Sequence, residues 1–251
     1  MNGSMPGLVE QEETTVTLDT RNAGAQARPA APLHAAAARP RWWRRPWIVP
    51  LMVVVAAYLI YQISPYVPES KAPTPPHDGF PAYYPLLVVH MVSGTLAIIS
   101  ACFQVWPWLR RRHPAVHRAS GRVYVLGAVV GGTCGLIIVR FAPPVGQIGV
   151  AAATTLWIVF TVAAVVYARK GRYDLHRRFM LYSFAIIMNN IWGVLIVNVL
   201  MRMPWEVGFT YMLEAARWTG WVFNLILVQW WLYHTEGRDI GLPRRRRPVG
   251  S

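Results

Sequence analysis

Six apolar runs, separated by short stretches rich in arginine or proline, dominate the chain: residues 47–63, 85–108, 121–141, 146–168, 179–201 and 211–234. Each is close to the roughly 20 residues that a helix needs to cross about 30 Å of hydrocarbon. None shows the alternation of barrel strands, and backbone polar groups cannot go unpaired in lipid, so helices are the remaining solution. The pattern predicts an all-α integral membrane protein, a six-transmembrane-helix bundle over residues 41–237. Residues 1–40, rich in Ala, Pro, Arg and Thr without a sustained apolar period, read as a disordered cytoplasmic tail, and residues 238–251 as a basic cytoplasmic tail.

The basic residues orient the bundle. Arg39, Arg41, Arg44 and Arg45 precede the first run; Arg110, Arg111, Arg112, Arg118 and Arg122 join the second and third; Arg169, Lys170, Arg172, Arg177 and Arg178 join the fourth and fifth; Arg244 to Arg247 follow the sixth. In a six-span alternation all of these fall on one side, whereas the other side carries little more than Lys71, Arg140, Arg202 and Arg217. The positive-inside rule then predicts a multi-pass membrane protein with both termini cytoplasmic. Composition agrees: 54% of the 251 residues are hydrophobic and only 14% charged, so the net charge of +14 belongs to membrane anchors and nucleic-acid binding is not expected. Cys102 and Cys134 lie inside apolar runs, where no disulfide framework is expected.

Helical periodicity sorts the polar residues into faces. His117 shares its face with Gly121, Tyr124, Ala128, Gly131, Gly132 and Gly135, which reads either as a cofactor groove or as close small-xxx-small packing. On the fifth run, Tyr182, Ser183, Asn189, Asn190 and Gly193 gather on the half of the helix that holds His176, and amides at that depth predict a face turned into the bundle. On the second run, His90 stands with Ser93, Gly94, Ala97, Ala101 and Gln104 and is also predicted to face inward, as a functional or a hydrogen-bonded structural histidine. Aligning "TLAIISACFQVWPWLRRRHPAVHRASGRVY" with "TLWIVFTVAAVVYARKGRYDLHRRFMLYSF" brings His117-Arg118 onto His176-Arg177, which suggests two weakly repeated helical hairpins and a site shared between them.

The remaining charges have simpler expectations. Glu214 and Arg217, three apart on one face, are expected to pair, with Arg140 and Glu206 joining across helices. His77 and Asp78 fall in a proline-rich outer loop read as solvated. A zinc site from His113, His117, His176 and His234 is conceivable but lacks the cysteine and carboxylate ligands common in such clusters. Neither an H-E-x-x-H motif nor a Walker loop, carboxylate dyad or serine elbow occupies the apolar core, so hydrolytic and nucleotide-driven chemistry find no support.

An inward histidine early in one span, a basic stretch with "HRASGRVY" and a second with "DLHRRFMLYS" resemble the bacterial membrane family of domain of unknown function 2306, over roughly Tyr84 to Met201. That resemblance implies membrane residence and no particular activity. The matched depth of His117 and His176 is more weakly similar to the transmembrane ascorbate-reducible b-type cytochromes, and implies a haem b site for electron transfer with His117, His176 and His90 as candidate ligands. The second histidine pair of those cytochromes has no complete counterpart here. The other expectation is a non-enzymatic structural, assembly or transport protein in which Arg118, Arg122, Arg177 and Arg178 hold anionic lipid head groups at helix N-termini, over a polar core of Gln104, Tyr182, Asn189 and Asn190.

Overall fold

The computed structural model describes residues 47–67, 73–204 and 208–236. The two tails, Lys71 and Glu206 lie outside the described residues, as do the arginines that precede the first span and follow the last. Everything described is helix or connection, with no strand among the described residues. The helices are α1 (Ile48–Ile63), α2 (Tyr83–Gln104), the short α3 (Pro107–Arg112), α4 (Pro114–Ile138), α5 (Gln147–Arg169), α6 (Tyr173–Ile187), α7 (Asn189–Leu200) and α8 (Phe209–His234).

Five stretches are long and apolar enough to cross a membrane: Ile48–Tyr66, Tyr83–Gln104, Pro114–Phe141, Gln147–Arg169 and Tyr173–Leu200. The sixth predicted span, α8, has the length at 26 residues but is not among them. Glu214, Arg217, Asn224 and Gln229 along it dilute its apolar sequence.

Helix bounds depart from the apolar runs in an instructive way. Arg-rich segments end a hydrophobic run without ending a helix, so α4 starts at Pro114 and α6 at Tyr173, seven and six residues before the predicted 121 and 179. Pro114 at the first helical position of α4 needs no partner for its nitrogen and has its φ already set. The run over 85–108 is interrupted instead. Pro107 has no N–H to continue the α2 ladder, Trp106 turns to extended backbone with ψ 104°, and α3 begins afresh. The run over 179–201 bends at Met188, where the N–H of Ile191 reaches the Met188 carbonyl at 3.2 Å in a tightened turn.

Packing joins α2 to α4, α4 to α5, α5 to α6, and α8 to α5, α6 and α7, with α1 against α2. The closest of these contacts is glycine-made. A Cβ on Gly127 would stand 2.6 Å from the Ser93 carbonyl oxygen, one on Gly131 3.0 Å from the Ser93 Cβ, and one on Gly135 2.9 Å from the His90 ring. Gly132 turns to α5, where a Cβ would meet Ile158 at 2.7 Å. Small residues let backbones approach, and in lipid this van der Waals packing is a principal source of helix association. The glycine face of α4 is therefore filled by α2 and α5, so of the two readings of Gly131, Gly132 and Gly135 the close packing is the one seen.

Candidate functional site at the basic end

His117 is the fourth residue of α4 and His176 the fourth of α6. Their backbone N–H groups close the first turns on the carbonyls of His113 (3.1 Å) and Arg172 (3.0 Å). This equal register puts both imidazoles at the same level of the bundle, beneath the connections that carry the arginines. Seven residues further along each helix, on the same faces, Tyr124 and Ser183 meet directly at 2.6 Å. Two turns is about 10.5 Å, so the two histidine-bearing stripes face each other from the basic end into the core.

Each histidine is held differently. The Nδ1 of His176 lies 2.9 Å from the Ala164 carbonyl of α5; in the tautomer that donates there, Nε2 is left as a ligand or acceptor. The Nδ1 of His117 is buried with no hydrogen-bond partner. An orphaned buried nitrogen costs about 1–3 kcal/mol, which an incoming ligand or water relieves. The backbone at His117 is fixed by Gln104, whose side-chain amide donates to the His117 carbonyl (2.7 Å) and to Ser120 Oγ (2.6 Å). Gln104 thus pins the end of α2 to the first two turns of α4.

Cations close the site from above. Arg110 of α3, Arg118 and His176 all lie near enough for their charges to act on His117, and Arg110 acts likewise on Arg177. Burial, and after it the neighbouring Arg111, hold the Arg110 guanidinium below the usual arginine pKa. Arg177 also sits over the Trp231 ring of α8 at 4.6 Å. No carboxylate among the described residues is ion-paired with any member of the group. Arg110 belongs to this cluster although its place in a polyarginine run gave no sign of it.

Arg118, a member of this cluster, is exposed. The other candidate residues lie elsewhere, Arg122 also being exposed. Arg178 bonds Tyr182 through Nε (2.9 Å) on a different face of α6, and Tyr182, expected in the polar core, instead lines an open groove with Gln229. Asn190 is exposed, its amide turned back to the Ile187 carbonyl at 3.1 Å, which corrects its inward placement. Asn189 is partly buried with its Oδ1 unpartnered against Gly220. His90 does point inward, its Nδ1 2.8 Å from the Gly131 carbonyl and its ring clamped by Gly135.

Two groupings weighed from the sequence do not form among the described residues. Among the described residues no three His, Cys, Asp or Glu side chains stand together as a metal site, so His113, His117, His176 and His234 do not converge. His113 stacks near Trp108, and His234 takes the Trp230 carbonyl of its own helix. Nor do Glu214 and Arg217 form an ion pair: the Glu214 carboxylate accepts from Trp218 Nε1 at 2.7 Å, and the Arg217 methylenes lie on Gly146. Arg140 lies over both Phe80 (4.7 Å) and Phe141 (4.8 Å), whose rings stack on each other.

Beneath the histidines a dry polar network was not anticipated. Tyr124, Thr161 and Ser183 are at most 1% exposed. Ser183 Oγ takes both Tyr124 Oη (2.6 Å) and Thr161 Oγ1 (2.7 Å), while Trp157 Nε1 donates to Tyr124 Oη at 3.0 Å. Every polar atom finds a partner, so the network locks α4, α5 and α6 and forms the floor of the basic end.

The family described as a predicted membrane protein (DUF2306) matches residues 87–232. The chain belongs to this family. The DUF2306 match runs from the first turns of α2 almost to the end of α8, past the Met201 limit drawn from the sequence, and so includes His90, both basic-end histidines and the helix whose Trp231 carries Arg177. No curated protein and no solved structure matches the chain.

Proposed function

We propose that the protein is a non-enzymatic membrane protein whose basic end holds the phosphate of an anionic lipid. The observation that carries this is the convergence of Arg110, His117, Arg118, His176 and Arg177 from three helices, with no carboxylate among the described residues ion-paired to them. Like charges gathered at a half-buried end repel one another, and a bound anion removes that cost while supplying acceptors to guanidinium and imidazole. In this reading α8 completes a six-span bundle, since 26 residues at 1.5 Å each exceed the roughly 30 Å of hydrocarbon. The basic end then faces the cytoplasm of a bacterial inner membrane, where anionic lipid head groups lie.

The test measures the thermal stabilisation of detergent-purified protein by titrated phosphatidylglycerol against phosphatidylcholine. Replacing Arg110 and Arg177 together by Gln should weaken the phosphatidylglycerol effect by ~30-fold, taking about 1 kcal/mol for each arginine. Equal stabilisation of the wild type by both lipids, or an unchanged double variant, overturns the proposal.

A second reading follows from one bond. The Nδ1 contact of His176 with a backbone carbonyl is the arrangement that orients metal-ligating imidazoles, and it leaves Nε2 outside that bond. His117 and His176 would hold a haem b, Arg110, Arg118 and Arg177 would offset its carboxylate charge, and the haem would supply one-electron transfer. The imidazoles fit that role; the glycine face does not, being filled by α2 and Ile158. Absorption spectra of haem-replete preparations, oxidised and dithionite-reduced, decide it. A b-type band lost in His117→Ala and in His176→Ala but kept in His90→Ala supports haem, and a colourless folded protein removes it.

A further inference from the structure

One position beyond Arg177, α6 carries Arg178, and a turn further on Tyr182. Here three side chains from two helices hold one another. Tyr182 Oη donates to Gln229 Oε1 of α8 at 2.5 Å and accepts from Arg178 Nε at 2.9 Å, and a second guanidinium nitrogen of Arg178 lies 3.4 Å from the same Gln229 oxygen. The guanidinium is thereby set in one orientation, with N–H groups left over and no carboxylate among the described residues paired to it.

Tyr182 and Gln229 also form the polar end of an open groove of about 660 Å³ between α5, α6 and α8. Its walls are Phe160, Leu225, Ile226, Trp230 and Tyr233. That volume lies within the roughly 300–1,000 Å³ of small-molecule sites. Ile226 is 60% exposed, Trp230 58% and Tyr233 72%, so the groove opens on the outer surface of a bundle with five membrane-crossing stretches. With α8 read as a sixth span, the medium there is hydrocarbon. Tryptophan and tyrosine near a basic helix end mark the level where acyl chains give way to head groups.

We propose that this groove seats one anionic phospholipid, its acyl chain against Phe160, Ile226 and Trp230 and its phosphate on the outward N–H groups of Arg178. Charge selects this occupant. A neutral lipid fills the apolar walls equally well and leaves the pre-oriented cation without a net negative partner. The seat rests on the reading that α8 crosses the membrane, but it shares no residue with the His117–His176 cluster and does not depend on a lipid bound there.

Native mass spectrometry of the full chain released from nanodiscs of mixed phosphatidylglycerol and phosphatidylcholine tests the proposal. The wild type should carry one retained phosphatidylglycerol in preference to phosphatidylcholine. Arg178→Gln should cut that preference about fivefold, the worth of one arginine near a membrane surface, and Arg178→Lys should keep most of it. Ile226→Trp, which fills the groove and leaves Arg178 in place, should lower retention of both lipids, and it decides the matter if Arg178→Gln does not fold. The Arg110→Gln, Arg177→Gln double variant should retain the groove lipid, so failure at one site is told from failure at the other. Absence of any phosphatidylglycerol preference in the wild type, or unchanged retention in Ile226→Trp, overturns the proposal.

Discussion

Gly127 is the position where a single methyl group has the least room against something that cannot yield. The obstacle is the Ser93 backbone oxygen at 2.6 Å, held in the α2 helix, whereas Gly132 faces the flexible end of Ile158 and Gly94 has nothing within 4 Å. Gly127→Ala should therefore cost about 1–3 kcal/mol, the range for overpacking a close contact. Gly94→Ala should fall within about 0.5 kcal/mol of the wild type. Thermal unfolding in detergent of the three alanine variants, at 94, 127 and 132, checks the order; equal melting points would show that α2 and α4 slide apart readily. The glycine spacing was legible in the sequence because four-residue repetition needs no partner to be seen. Which of its two meanings held was not, because a groove and a contact differ only in what lies opposite.

At the scale of elements, the same limit explains what was hidden. Thr161 and Trp157 read as ordinary members of an apolar run, and their polar atoms acquire purpose only when α5 is laid between Tyr124 and Ser183. Asn224 escaped notice for the same reason. Its amide donates to the Ala185 carbonyl of α6 (2.9 Å) and its oxygen accepts from Trp192 Nε1 of α7 (3.0 Å), so one residue of α8 fastens both sides of the Met188 bend. Asn224→Leu should destabilise the protein by about 1–2 kcal/mol, toward the upper end for interhelical hydrogen bonds in membranes. If Asn224 acts as this fastener, the variant should also quicken proteolysis near Asn190; unchanged cleavage would mean that packing alone holds α7. Helix starts were misplaced where charge, which ends an apolar run, has no power to end a backbone ladder: α4 and α6 both continue into their arginine-rich turns. His117 and His176 each stand in the first turn of their helix, as the faces read from the sequence took them to.

For the molecule as a whole, the arginines of α3, α4 and α6 meet at one end, as Arg110 acting on both His117 and Arg177 requires. Reporter fusions after Gly241 should accordingly be active as cytoplasmic reporters and silent as external ones if α8 crosses the membrane; the reverse pattern would show that it does not. The glycine contact between α2 and α4 bears on how such a chain comes to be assembled. These two helices are separated only by Val105 to His113, and their fit is complete without any residue from α5 onward. A ribosome delivers them first, and contacts near in sequence form soonest because little chain entropy is lost in closing them. The pair can thus settle as a finished wedge while α5 to α8 are still being synthesised. The later helices then have a rigid template to dock against, and Tyr124 waits on its face for Trp157, Thr161 and Ser183 to arrive.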